Sequence, residues 1–150
     1  MIRNVKIKIM DDRLTDINYA SAEAAGVDLR ACIDEPMVIE PGKICKIPTG
    51  IALSAEDAVA RPFAYLLFGR SGLGVKHGIT LANSVGVIDS DYRGEIVAGL
   101  INQSDEPYTV QPMERVAQLV LVPIERMSFS VAQELDETVR GAGGFGSTGK

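Results

Sequence analysis

Val27-Asp28-Leu29-Arg30-Ala31-Cys32-Ile33 alternates apolar with polar or small residues over seven positions. That period of two is the mark of a strand buried on one face. It predicts Val27, Leu29, Ala31 and Ile33 on the core side and Asp28, Arg30 and Cys32 on the other. Upstream, Val5, Ile7 and Ile9 alternate with Lys6 and Lys8 in the same way. Downstream, Pro41-Gly42 and Thr49-Gly50 break short apolar runs as turns do. Further strand-length runs lie at 63–68, 96–101 and 115–122, each bounded by Gly, Pro or Asn. Fourteen Ile and fourteen Val against eleven Leu favour sheet. One short helix is expected over 54–60, capped by Ser54 with acids in its first turn. Many short strands at close spacing with almost no helix predict an all-β sandwich, jelly roll or barrel.

At 150 residues the chain has the length of one domain, and 46% hydrophobic residues suffice for its core. Fifteen Lys plus Arg against twenty Asp plus Glu give a net charge of -5. That field repels a polyanion, so no nucleic-acid polymer is expected as partner, whereas a small nucleotide can be met locally. No apolar run approaches the roughly 20 residues that span a bilayer, so no membrane partner is expected and the location is read as cytoplasmic. Cys32 and Cys45 lack CxxC spacing, and His77 is the sole histidine. A structural zinc site and a Ser-His-Asp triad both lack their parts, which leaves carboxylates, hydroxyls, amides or an oxygen-bound metal to carry chemistry. The two thiols are expected reduced and packed, and His77 structural.

Residues 140–150 hold five glycines and one large apolar residue, Phe145. Such a segment has no core of its own, so the chain divides into a body, 1–139, and an expected flexible tail, 140–150. GxGxxG and GxxxxGK both occur in that tail by arithmetic. Each needs a following helix, and the sequence ends at Lys150, so neither a Rossmann nor a Walker reading stands.

Two segments inside the body look chemical. Gly69-Arg70-Ser71-Gly72-Leu73-Gly74 follows an apolar strand, and glycines flanking a Ser let backbone N–H groups and a hydroxyl converge on an anion. A plain turn is the alternative. Gly86-Val87-Ile88-Asp89-Ser90-Asp91-Tyr92-Arg93-Gly94-Glu95 crowds charges into a turn. A solvated hairpin tip explains the charges, but Asp89 leaves its strand at a fixed angle, as a positioned general base does, and Tyr92 offers a ring face to a sugar or base.

Those two segments fall in order with Ala25-Gly26-Val27-Asp28-Leu29-Arg30-Ala31, Ala82-Asn83, Glu114-Arg115-Val116-Ala117-Gln118-Leu119 and Arg140-Gly141-Ala142-Gly143-Gly144-Phe145-Gly146-Ser147-Thr148-Gly149. Together they resemble the five motifs of the trimeric dUTPases, over nearly the whole chain. Gly69 stands where that family commonly has Pro, and Ala82 where Gly is frequent. The resemblance implies a jelly-roll-like subunit of the β-clip type in a homotrimer with shared active sites, each closed by a tail. It implies the substrate dUTP, the products dUMP and diphosphate, and Mg2+ as cofactor.

By the same resemblance Asp89 would hold and deprotonate the attacking water, and Asp28 would orient magnesium-bound waters. Arg70, Ser71, Gly72 and Gln118 would contact phosphates, and Arg140, Gly146, Ser147 and Thr148 would grip the γ-phosphate. A hairpin from Asn83 to Val97, through Gly86, Val87 and Ile88, would read uracil with backbone groups and the Asn83 amide. Tyr92 would exclude a ribose 2′-OH and Phe145 would stack on the base. Two other readings share the scaffold: a dCTP deaminase or bifunctional relative, against which the Tyr92-Arg93-Gly94 context and complete tail speak, and a catalytically silent binding trimer, against which Asp89 speaks.

Overall fold

The computed structural model describes residues 3–15 and 17–144. Strands dominate, as the alternation predicts: β1 (Val5–Ile9), β2 (Val27–Arg30), β3 (Met37–Ile39), β4 (Ile44–Pro48), β5 (Ile51–Ala55), β6 (Phe63–Gly69), β7 (Ile79–Leu81), β8 (Val85–Asp89), β9 (Val97–Asn102), β10 (Tyr108–Val110) and β11 (Arg115–Pro123). They form four antiparallel sheets in the orders β1-β5, β10-β3, β2-β11-β6-β8 and β4-β9-β7. This all-β arrangement fits a jelly-roll-like fold.

Apolar side chains from all four sheets meet in one core, with Ile39, Ile47, Phe63, Leu100 and Val110 almost wholly buried. Leu29, Ala31 and Ile33 point inward, and Asp28, Arg30 and Cys32 are more exposed, as their period requires. Burial pushes the Cys32 thiol up to about 11, with the Asp11 carboxylate adding to it. The thiol therefore stays protonated and unreactive at neutral pH.

The helix is not where propensity puts it. Ser54 belongs to β5 and is registered against Lys6 of β1, because Ile51 and Ala55 of the same strand gain more by facing the core. The acids after it form a single turn, with Arg61 N–H donating to the Asp57 carbonyl. The helix that does form, α1 (Ser71–His77), contains two glycines, each costing about 1 kcal/mol relative to Ala. Tertiary packing offsets that cost: Leu73 is buried, and Gly78, at φ 68, closes the C-terminus with backbone bonds to Gly74 and Leu73. His77 ends α1 with its ring 5.1 Å from that of Tyr108, a packing role.

One buried polar side chain ties sheets together. The Asn102 amide donates to the carbonyls of Ile39 (2.8 Å) and Glu106 (2.7 Å), and its Oδ1 accepts from the Ser104 N–H (2.9 Å) and hydroxyl (2.7 Å). Every donor and both lone pairs are used. Asn102→Leu strands those partners without water, so a loss of about 2–4 kcal/mol is expected, read as a lowered urea midpoint at unchanged m-value.

Candidate active site

The first cluster forms where β2, β11 and β6 run side by side. Arg70, just past β6, reaches across with its Nε 2.7 Å from Asp28 Oδ1, and Arg115 Nη1 donates to Asp28 Oδ2 at 3.2 Å. Gln118 is registered opposite Asp28, and its Nε2 donates to the Gly69 carbonyl at 3.0 Å. Ser71 and Gly72 stand exposed in the first turn of α1, beside Arg70. Two guanidinium groups thus converge on one partly exposed carboxylate, with the Gln118 amide registered opposite it and Ser71 next in sequence to Arg70, a donor set suited to phosphate oxygens. Nothing in the sequence pattern pointed to Arg115 as Asp28's second partner, since that contact depends on pairing between segments 87 positions apart.

The second cluster surrounds a cleft of about 390 Å³ between β8 and β9. These strands leave the same turn but join different sheets, so the hairpin is splayed. Among the described residues β8 pairs with β6 alone, which leaves backbone groups on its other edge open to a ligand. Asn83, Gly86, Val87, Ile88, Asp89, Tyr92 and Val97 all line this cleft. The Tyr92 hydroxyl donates to the Glu95 carbonyl (3.0 Å), and the Tyr92 N–H donates to the Asp89 carbonyl (3.1 Å). A Cβ added at Gly86 would press on Leu67 at 3.0 Å, so a side chain there would shift the cleft wall.

The two clusters share a face but not a place. Asp28 pairs with Gln118, Gln118 with Phe68, and Phe68 with Val85, four residues before Asp89. Residues paired this way share a face, and so does every second residue along a strand. Three strand spacings and four rises put Asp28 and Asp89 about 14 Å apart across the sheet and about 13 Å along it, about 19 Å in all. Between them the same face carries Leu66, Phe68, Val85, Val87, Val120 and Val122, none of them buried.

Among the described residues no group of three or more His, Cys, Asp or Glu is placed to hold a metal. Asp28 stands without a second carboxylate, which fits an ion bound chiefly by phosphates and water rather than by a protein cage. A larger groove, of about 770 Å³, lies beside β1 and β2, and among the described residues no carboxylate lines it. Arg140 is exposed, with its carbonyl accepting from the Gly143 N–H. Phe145, Gly146, Ser147 and Thr148 lie outside the described residues.

An unpaired strand edge beside an amide suits a nucleobase, and an Arg-Ser-Gly corner beside a Gln suits phosphates, so fold and site together define a nucleotide-binding β-protein. Comparison narrows the class. The dUTPase family model matches residues 12–149. The chain is 50% identical over 147 residues to the deoxyuridine 5'-triphosphate nucleotidohydrolase of Neisseria meningitidis serogroup A, covering 97% of this chain and 96% of that one. It is 46% identical to the Bordetella pertussis protein of the same name over 99% of both chains. Its fold also matches the dUTPase of Staphylococcus phage 80alpha, with a TM-score of 0.83 at 25% identity over 98% of this chain and 99% of that one. The chain belongs to the dUTPase family, and its activity is the hydrolysis of dUTP. The two departures from the family pattern are mild in structure. Ala82 is not among the residues at positive φ, and Gly69 keeps its carbonyl on Gln118.

Proposed function

We propose that the chain cleaves dUTP to dUMP and diphosphate by attack of an Asp89-held water on the α-phosphorus, in a homotrimer whose sites are shared between chains. One observation carries this reading: Asp89 and the Asp28–Arg70–Gln118 cluster stand about 19 Å apart on one sheet face. A base acts within hydrogen-bond reach of its water, so a separation of this size favours a site that takes Asp89 from one chain and the Asp28 cluster from another. The apolar face between them supports closure by copies, because closed symmetry brings one chain's Asp89 edge to the next chain's Asp28 edge while covering Leu66, Phe68 and Val87. Residues 123–142 are all exposed, and Met127, Phe129 and Val131 repeat at strand period with exposures of 78%, 84% and 104%. An extended segment of that kind suits a path over a neighbouring subunit, which would deliver residues 140–150 to a site formed by the other two.

Asp89 would take the proton from water as the oxygen attacks the α-phosphorus, and the electrons of the broken P–O bond leave with diphosphate. Arg70, Ser71, Gly72 and Gln118 would hold the departing phosphates and disperse the charge that develops there. Arg140, Gly146, Ser147 and Thr148 would hold the γ-phosphate. Mg2+, bound by the triphosphate and by waters on Asp28, would supply charge neutralisation to the leaving group. The free edge of β8 with Asn83 would read the uracil edge, and Phe145 would cover it. Tyr92 would lie against the deoxyribose and exclude a 2′-OH. A dUTPase of Staphylococcus phage 80alpha has been solved with dUpNHpp, and that of phage phi11 with a structural Mg(II) ion, which supports a triphosphate and a metal here. In the cell such a reaction would take place in the cytoplasm, keep uracil out of DNA and supply dUMP for dTMP synthesis. Among the described residues no helix is long and apolar enough to cross a membrane.

Turnover of each dNTP with magnesium in H2(18)O tests the substrate and the bond attacked together. Label is expected in dUMP, and dCTP and dTTP are expected to turn over poorly. Label in diphosphate, or ammonia from dCTP, would contradict the proposal.

A further inference from the structure

We infer that Glu95 is a positioning residue for sugar selection, holding Tyr92 at the cleft through a relay anchored on the body of the fold. The inference rests on the reading of Tyr92 as the group that excludes a 2′-OH. Glu95 sits partly buried on the cleft wall, and its Oε1 accepts the Gly50 backbone N–H at 2.8 Å. Gly50 is a firm anchor. It is buried at φ 67 in the turn between β4 and β5, where an added Cβ would lie 2.7 Å from Cys32 Sγ and 2.9 Å from Leu14 Cδ1. Its carbonyl accepts from the Met10 N–H. A buried N–H at such a site requires an acceptor, and the Glu95 carboxylate is the one it has.

The other end of Glu95 carries the ring. Its carbonyl accepts the Tyr92 hydroxyl, and Gly94 makes room for that fold-back, since a Cβ there would collide with the Tyr92 hydroxyl and Cζ. The next residue continues the stitching: the Ile96 N–H donates to the Ile51 carbonyl, and the Thr49 hydroxyl and N–H both donate to the Ile96 carbonyl. The path therefore runs from the β4–β5 turn through Glu95 to the phenol that faces the sugar. Tyr92 is tied at its other end to Asp89, so a ring that drifts also disturbs the hairpin tip.

The test is the ratio of kcat/KM for dUTP to that for UTP, a quantity that mere loss of folded protein does not move. Glu95→Ala is expected to lower the ratio at least about tenfold, within what a shift of about 1 Å at a site produces. Glu95→Gln keeps an acceptor for the Gly50 N–H and should restore most of the ratio. Tyr92→Phe removes only the hydroxyl bond, so it reports on the relay even if Glu95→Ala folds poorly, and it should also lower the ratio. Tyr92→Ala separates the two readings. If it lowers the ratio while Glu95→Ala and Tyr92→Phe leave it unchanged, the relay is wrong and Tyr92 still selects the sugar. If Tyr92→Ala changes nothing, both readings fall.

Discussion

Asp89→Asn is expected to lose most turnover, by ~10²–10⁴-fold in kcat, the range that general-base catalysis contributes, while dUTP still binds within a few-fold of the parent. The amide keeps the size of the carboxylate and its acceptor oxygen but cannot take a proton. Asp89 ends β8 at an exposed position, and its main-chain carbonyl already anchors the Tyr92 N–H. The backbone of the tip should therefore survive the change. No histidine stands in the cleft to substitute as base, since His77, the sole one, packs on Tyr108 at the end of α1. Single-turnover kinetics separate chemistry from binding. A variant that hydrolyses dUTP within a few-fold of the parent would remove Asp89 from the role of base.

Deleting residues 140–150 should leave the body folded while turnover collapses. Among the described residues the core draws its buried side chains from residues 14 to 119, and 140–144 contribute none of them. What would be lost is the phosphate grip proposed for Arg140 and the base stacking proposed for Phe145, an interaction worth ~1–3 kcal/mol. The absence of Trp supplies a probe, because Phe145→Trp introduces the only indole in the chain. This variant should keep activity and change its fluorescence when a non-hydrolysable dUTP analogue and magnesium are added. The product dUMP should change it less, lacking a γ-phosphate for Arg140, Ser147 and Thr148. An unresponsive indole, or a fully active truncated protein, would make the segment a bystander.

β1 and β2 fall where a period of two runs, although Ile7 and Ile9 of β1 stay exposed, and β6 and β11 fall on strand-length apolar runs bounded by turn residues. The helix was not legible. Ser54 with nearby acids imitates a cap, whereas Ser71–His77 carries two glycines and becomes helical only through the burial of Leu73 and the closure at Gly78. The motif residues gave the membership of both clusters. Their arrangement stayed hidden, because Asp28 meets Arg70 and Arg115 through the β2-β11-β6 ladder, and no local pattern records which strands become neighbours. Glu95 was hidden for the same reason, since its carboxylate answers an N–H that lies 45 positions earlier.

That arrangement is also the point of greatest exposure to experiment. Mixed assemblies of Asp89→Asn chains and chains lacking residues 140–150 test the proposed shared-site trimer directly, because each defective chain would supply what the other lacks. If sites are built from different copies, a share of the mixed sites is complete and activity rises well above that of either parent. With subunit exchange verified by mass, a mixture no more active than its two components would place each site within one chain and contradict the shared-site reading.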